Sequence, residues 1–398
     1  MSSPPAAPHS PPLTLLRNAD VYAPAPQGRH HLLVAGERLV WMGADLGALP
    51  GELGLEEVDL RGARLIPGLV DAHVHLTGGG GEAGPRTRVP PLPLSRFTRG
   101  GVTTAVGLLG TDDYTRGPVG LVAAARGLVE EGLSVWCWTG GYHVPPATIT
   151  GSVRGDVVNV DRIIGVGEVA LSDHRSSQPT YDELVKLAAE AHVAGLLTGK
   201  AGVVHLHMGD GPRGLALVRE ALDRSEVPAR VFNPTHVNRR RALFDEAVAL
   251  ARRGCHVDVT AFPAPHDPDE YSAEDALARY WASGAPRDRV TVSSDGGGSL
   301  PVFDAQGQMT RMDVGDPGAL AGVLRRLLER GVPLGEALPP FTSNVAGLLR
   351  LPGKGVVAVG ADADFVVLDE RGGVRDVMAR GRWHVRGGEL VRRGTFEA

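Results

Sequence analysis

The stretch DAHVH places two histidines, His73 and His75, one residue apart. On a β-strand, residues i and i+2 point to the same side, so both imidazoles can reach one metal ion. Further along come His207 in HLHMGD, His236 in NPTHVN and Asp295 in TVSSDGGG. Taken singly, the two histidines read as hydrogen-bonded core or surface residues, and Asp295 as a turn aspartate before glycines. His205 lies two residues before His207, so spacing alone leaves these two free to exchange roles. A carboxylate at Asp295 can hold a metal and also carry a proton. The glycines after it lack the following lysine and helix of a phosphate loop. The segment GVGEVALSDHR raises a separate question, because Glu168 sits inside an apolar run. Burying a lone carboxylate costs several kcal/mol unless it is paired, protonated or bound to metal.

Each of these histidines, and Asp295, falls near the C-terminal end of a short apolar run. Eight such runs occur: LIPGLVDAHVH, GVTTAVGLLG, LSVWCWTGGYH, RIIGVGEVALSDHR, GVVHLHMGD, ARVFNPTHVN, CHVDVTAF and RVTVSSDGGG. Between most of them lie segments with apolar residues at three- and four-residue spacing, such as YDELVKLAAEAHVAG, RRALFDEAVALARRG and SAEDALARYWASG, which predict helices. Strand–helix alternation predicts a parallel sheet, and eight strands suit a (β/α)8 barrel, in which the strand ends converge on one catalytic face. The two ends of the chain differ from this middle. LTLLRNADVYAP, HHLLVAGERLVWMG and LEEVDLRGARLIPG, then KGVVAVGADADFVVLDE, GVRDVMARGRWHVRGG and ELVRRGTF, read as short strands with glycine turns. The expected fold class is therefore α/β, a (β/α)8 TIM-type barrel over 67–347 with a small β-sandwich domain built from both termini, 13–66 and 348–398. The proline-rich MSSPPAAPHSPP predicts a disordered tail over 1–12.

The 398 residues are 42% hydrophobic and 22% charged, enough for a large core. A net charge of −5 gives no reason to expect a nucleic-acid partner. No apolar run reaches the ~18 residues of a membrane span, and the N-terminal stretch lacks the charged and apolar regions of a signal peptide. Cys137 and Cys255 read as core thiols rather than a disulfide, which fits a reducing, cytoplasmic location.

PGLVDAHVH, the later single histidines, SSDGGGS and GKGVVAVGADADFVVLD resemble the amidohydrolase superfamily of metal-dependent hydrolases, over nearly the whole chain after the tail. HLTGGGGEAGP, GLLGTD, TGGYHVP, ITGSV, SDHRS, HMGD, PTHVNR and SSDGGGS are long and specific, and within the superfamily they resemble the isoaspartyl dipeptidases. The resemblance implies that His73, His75 and Asp295 bind one metal ion and that His207 and His236 bind a second, both usually zinc. In that family a carboxylated lysine commonly bridges the pair. This sequence departs there: no lysine lies between Gly165 and Arg175, and the bridging position falls on Glu168. Some branches of the superfamily use a glutamate, which likewise presents two anionic oxygens to two cations.

Two such ions sharing a water lower its pKa to about 7 or below, giving hydroxide to attack an amide carbonyl, with Asp295 passing the proton to the leaving amine. The resemblance further implies that Tyr142 donates to the developing oxyanion, Glu82 holds a substrate ammonium, and Arg175 and Arg239 hold carboxylates. Thr111, Ser299 and the Gly80 backbone would add hydrogen bonds. The implied substrate is a small molecule, a β-aspartyl dipeptide, and the implied assembly a homo-oligomer such as an octamer. The alternative is another metal-dependent amidohydrolase, similar to dihydroorotase, D-aminoacylase or adenine deaminase, acting on a different amide or a cyclic ureide. A non-catalytic scaffold is disfavoured, because such relatives lack several metal ligands.

Overall fold

The computed structural model describes residues 13–47, 54–262, 267–303 and 309–398. The tail expected over 1–12 lies outside the described residues. Five strands come first: β1 (Leu13–Tyr22), β2 (Pro26–Ala35), β3 (Arg38–Gly43), β4 (Glu56–Asp59) and β5 (Arg64–Pro67). Eight strands alternating with helices or short helical turns follow: β6 (Leu69–Val74), β7 (Val102–Gly107), β8 (Ser134–Thr139), β9 (Ile163–Leu171), β10 (Val204–Met208), β11 (Phe232–Thr235), β12 (Val257–Thr260) and β13 (Val290–Ser293). A hairpin, β14 (Ser299–Phe303) and β15 (Met309–Val314), precedes the closing strands β16 (Phe365–Leu368), β17 (Val374–Ala379), β18 (Arg382–Arg386) and β19 (Glu389–Leu390).

Strands β6 to β11 form one parallel sheet, and β12 pairs with β13. Strand β11 packs beside β12 and β13 beside β6, where Val74 bridges to Gly296, so the eight strands curl into a TIM-type barrel. All eight apolar runs of the sequence are barrel strands. Strands from both termini share a second, nine-stranded sheet, joined where β5 pairs antiparallel with β16 through Ile66 and Val366. Its own apolar core includes Leu16, Leu32, Leu65, Phe365 and Met378. Both cysteines are buried and free, as the sequence suggested. Among the described residues no helix is long and apolar enough to cross a membrane.

Period-two alternation sends opposite chemistries to the two faces of the barrel strands. Val204, Leu206 and Met208 of β10 join the core under the helices, as do Val257 and Val259 of β12 and Val290 and Val292 of β13. The intervening residues are polar and buried: His205 and His207, Asp258 and Thr260, Thr291 and Ser293. Aliphatic side chains commonly fill such barrels. Here part of the interior is a hydrogen-bonded floor. Asp258 accepts from Thr235 Oγ1 at 2.7 Å, from Thr291 Oγ1 at 2.6 Å and from the Ser293 hydroxyl. Buried hydroxyls need such partners. Asp258→Ala should therefore destabilise the protein by about 3 kcal/mol in denaturant unfolding, and a loss below about 1 kcal/mol would contradict this role of the floor.

Candidate active site

The barrel strand ends bring six side chains to one point. Glu168, from β9, is 1% exposed. Its Oε2 lies 3.0 Å from His207 Nδ1, 3.5 Å from His73 Nε2 and 3.6 Å from His236 Nε2, while its Oε1 lies 3.5 Å from His75 Nε2. Asp295 closes the ring, its Oδ1 3.3 Å from His73 Nε2 and 3.1 Å from His75 Nε2. His236 and Asp295 follow β11 and β13 with φ of 61° and 53°. A left-handed backbone at non-glycine residues is costly and concentrates at functional sites. Gly298 makes room, since a Cβ there would lie 2.4 Å from Asp295 Oδ1.

The outer ring nitrogens decide what faces the centre. Asn233 donates from Nδ2 to the His256 carbonyl, so its Oδ1 accepts from His205 Nδ1 at 2.7 Å. His205 Nε2 then accepts from His73 Nδ1 at 2.8 Å, and His73 Nε2 presents a lone pair inward. His236 Nδ1 meets the Thr260 hydroxyl at 2.8 Å, leaving Nε2 toward Glu168. His207 Nε2 faces the Asp173 carboxylate at 3.1 Å and donates to it, which leaves Nδ1 as a lone pair facing Glu168. Burial pushes His207 down to about 3 and holds His205 and His236 well below the ordinary imidazole range, so these rings are neutral. Burial, and then the charge of Asp295, push the Glu168 carboxyl well above its usual range. His73 Nε2 and Asp295 Oδ1 are buried and make no hydrogen bond. Ring nitrogens and two carboxyl groups thus converge, a nitrogen–oxygen donor set suited to divalent cations. Ligand atoms of three triads lie within 4.8 Å of one another: His73, His75 and Glu168; Glu168, His207 and His236; His73, His236 and Asp295. Glu168 belongs to two of them.

A cavity of about 590 Å³ opens over this centre, in the size range of small-molecule sites. Gly80, Glu82, Thr111, Tyr142, Arg175, Arg239 and Ser299 all line it, so every residue the resemblance assigned to the site lies at the centre or on this wall. Glu82 accepts from Thr111 Oγ1 at 3.1 Å and Ser299 Oγ at 3.5 Å, and pairs with Arg175 Nη1 at 3.4 Å. Arg239 donates to the Met208 carbonyl at 3.0 Å and lies over the Phe262 ring. Gly80 has a φ of 74°, and a Cβ there would meet the Thr87 carbonyl oxygen at 2.4 Å. The Tyr142 hydroxyl is 2.9 Å from His207 Nδ1. Burial, then Glu168, raise its pKa well above 10, so it remains a donor.

The amidohydrolase family model matches residues 64–384. A beta-aspartyl dipeptidase from the thermophilic, keratin-degrading Fervidobacterium islandicum AW-1, solved in complex with the beta-Asp-Leu dipeptide, is 40% identical to this chain. It superposes with a TM-score of 0.89 over 97% of this chain and 100% of that one. The chain belongs to the amidohydrolase family, and within it to the beta-aspartyl dipeptidases. A second structure of the F. islandicum dipeptidase is 39% identical, with a TM-score of 0.88 over 97% of this chain and 100% of that one. Less similar structures share the fold, among them a dihydropyrimidinase from Brevibacillus agri NCHU1002 at 18% identity and a TM-score of 0.67, covering 96% of this chain and 97% of that one. The adenine deaminase of Geobacillus kaustophilus (strain HTA426) is 23% identical over 329 residues, 80% of this chain and 48% of its own length. The chain thus spans about half the length of that curated relative.

For a family of metal-dependent hydrolases, the layer behind the ring carries information the sequence reading missed. His205 lies deeper in the barrel than His207 and meets the outer nitrogen of His73 at 2.8 Å. Asp71 accepts from the backbone N–H groups of His73 and Ser294, each at 3.2 Å, and so ties β6 to the turn that carries Asp295. Its place two residues before His73 was the available signal. Asn233 gave none, since nothing in NPTHVN marks its amide as the end of a tautomer chain. Asn233→Ala should weaken the affinity of the metal-free protein for Zn²⁺ about 10-fold or more by releasing His205 and His73. Unchanged affinity in a calorimetric titration would contradict that chain of hydrogen bonds.

Proposed function

We propose that this protein hydrolyses the isopeptide bond of β-aspartyl dipeptides with two divalent metal ions, zinc being the expected pair, which share Glu168. His73, His75 and Asp295 would hold one ion, His207 and His236 the other. The observation that carries the reading is Glu82, set between Thr111, Ser299 and Arg175 on the wall of the cavity that holds the Glu168 ring. An acid paired with Arg175, with Arg239 also lining the cavity, suits a zwitterion bearing an extra carboxylate. Glu82 receives the substrate ammonium, and Arg175 and Arg239 receive carboxylates, with Ser299, Thr111 and the Gly80 backbone completing the hydrogen bonds. The 40% identity to a dipeptidase solved with beta-Asp-Leu supports the same substrate class.

Bound ions would supply Lewis acidity toward the amide carbonyl and a water of lowered pKa. Asp295, beside His73 and His75, takes the water's proton and returns it to the departing amine. Tyr142 donates its phenolic hydrogen to the negative charge that grows on the carbonyl oxygen. The metal-loaded protein should cleave β-Asp-Leu at least about 100-fold faster than α-Asp-Leu, as chromatography of the products would show. Equal rates, or cleavage of neither, would contradict the assignment. Because Glu168 is part of the chain, metal alone should restore activity to the stripped protein without added bicarbonate. Glu168→Gln should lose one of the two ions and at least about 100-fold in kcat/KM; two tightly held ions with full activity would remove Glu168 from the centre.

A further inference from the structure

We infer that Asp173 is a positioning residue that orients a metal ligand and a substrate clamp with one carboxylate. The inference rests on the reading of the site given above. Asp173 follows β9, just after Ser172, whose φ is 52°. Its side chain is 4% exposed. Oδ2 accepts from His207 Nε2 at 3.1 Å and from Arg175 Nη2 at 2.8 Å. Oδ1 accepts from Arg175 Nε at 3.0 Å and from the Arg175 backbone N–H at 2.8 Å. Arg175 Nη2 and His207 Nε2 are 3.5 Å apart, and the shared oxygen lies closer to each than they lie to one another. Burial raises the pKa of Asp173, but the hydrogen bonds from His207 and Arg175 outweigh it and keep the carboxylate charged.

The surrounding chain is shaped to hold this carboxylate. The Asp173 carbonyl accepts from Gln178 Nε2 at 2.8 Å and from the Ser176 N–H at 3.2 Å. A Cβ at Gly209 would lie 2.5 Å from Asp173 Cβ, so the glycine of HMGD lets the end of β10 approach the turn. Two consequences follow from the geometry. With Nε and Nη2 of Arg175 engaged, Nη1 is the nitrogen left to face Glu82 and the cavity. With His207 Nε2 donating to Asp173, the lone pair on Nδ1 is fixed toward Glu168. A ligating imidazole whose far N–H is held by a carboxylate is better oriented and more basic. An amide in place of Asp173 would have the same shape, but its NH₂ would confront a donor on His207 or Arg175.

The test is a Co²⁺ titration of the stripped full-length protein, followed by kinetics on β-Asp-Leu at saturating Co²⁺. In Asp173→Asn the second equivalent should bind about 10- to 100-fold more weakly, with the first unchanged, and KM should rise about 10-fold with kcat altered much less. Arg175→Ala leaves the Asp173–His207 contact in place, so it should raise KM while keeping both equivalents. Two equivalents bound by Asp173→Asn as tightly as by the unaltered protein, an unchanged KM in that variant, or loss of an equivalent in Arg175→Ala would each overturn the inference. If the unaltered protein itself takes up fewer than two Co²⁺, the two-ion reading of the site fails, and this inference with it.

Discussion

At the heart of the barrel the buried Glu168 carboxyl group faces imidazole nitrogens of four histidines, with Asp295 beside it. His207 Nδ1 approaches Glu168 Oε2 at 3.0 Å after its other nitrogen has given its hydrogen to Asp173. Such an arrangement repels itself unless a cation, or a proton on Glu168, intervenes. Burial holds His207 and His236 neutral and drives the Glu168 pKa upward, which favours a cation or a proton at this point. Much of the rest of the molecule serves to hold these groups in place.

The hydrogen-bonded interior is part of that cost and also its support. A barrel filled with valine and isoleucine would pack well, but it would leave the imidazole rings above it free to turn. Here Asn233 fixes His205, which fixes His73, while Thr260 holds His236 and Asp173 holds His207. Each catalytic-face histidine except His75 therefore has a named partner behind it. His75 is set by its backbone, whose N–H donates to the Gly296 carbonyl at 2.8 Å in the glycine-rich turn after Asp295. Glu82, Ser299 and Arg175 line the cavity that opens over these rings.

The architecture was legible because the strands advertise themselves. Most apolar runs end in a polar residue or a glycine turn, and helical spacing separates most of them, so the barrel and its chemical face were legible together. The terminal sheet was legible from texture alone, although the pairing of Ile66 with Val366 is a long-range fact that no local pattern encodes. Spacing did not separate His205 from His207, because both point inward and only depth distinguishes them. The hairpin of β14 and β15 went unread, since the glycines that precede it look like a simple turn. Asp173 was hidden in plain sight: its neighbour Arg175 drew attention, whereas the value of Asp173 depends on His207, far away in sequence and reached only across β9 and β10.

The central claim is that Glu168 lies between two cation sites. Anomalous diffraction from crystals of the metal-loaded protein, collected on both sides of the zinc edge, addresses it directly. The account expects two peaks about 3.5–4 Å apart, one beside His73 and His75 and one beside His207 and His236, with a Glu168 oxygen toward each. A single peak, or two peaks with the Glu168 carboxylate turned away from them, would contradict it.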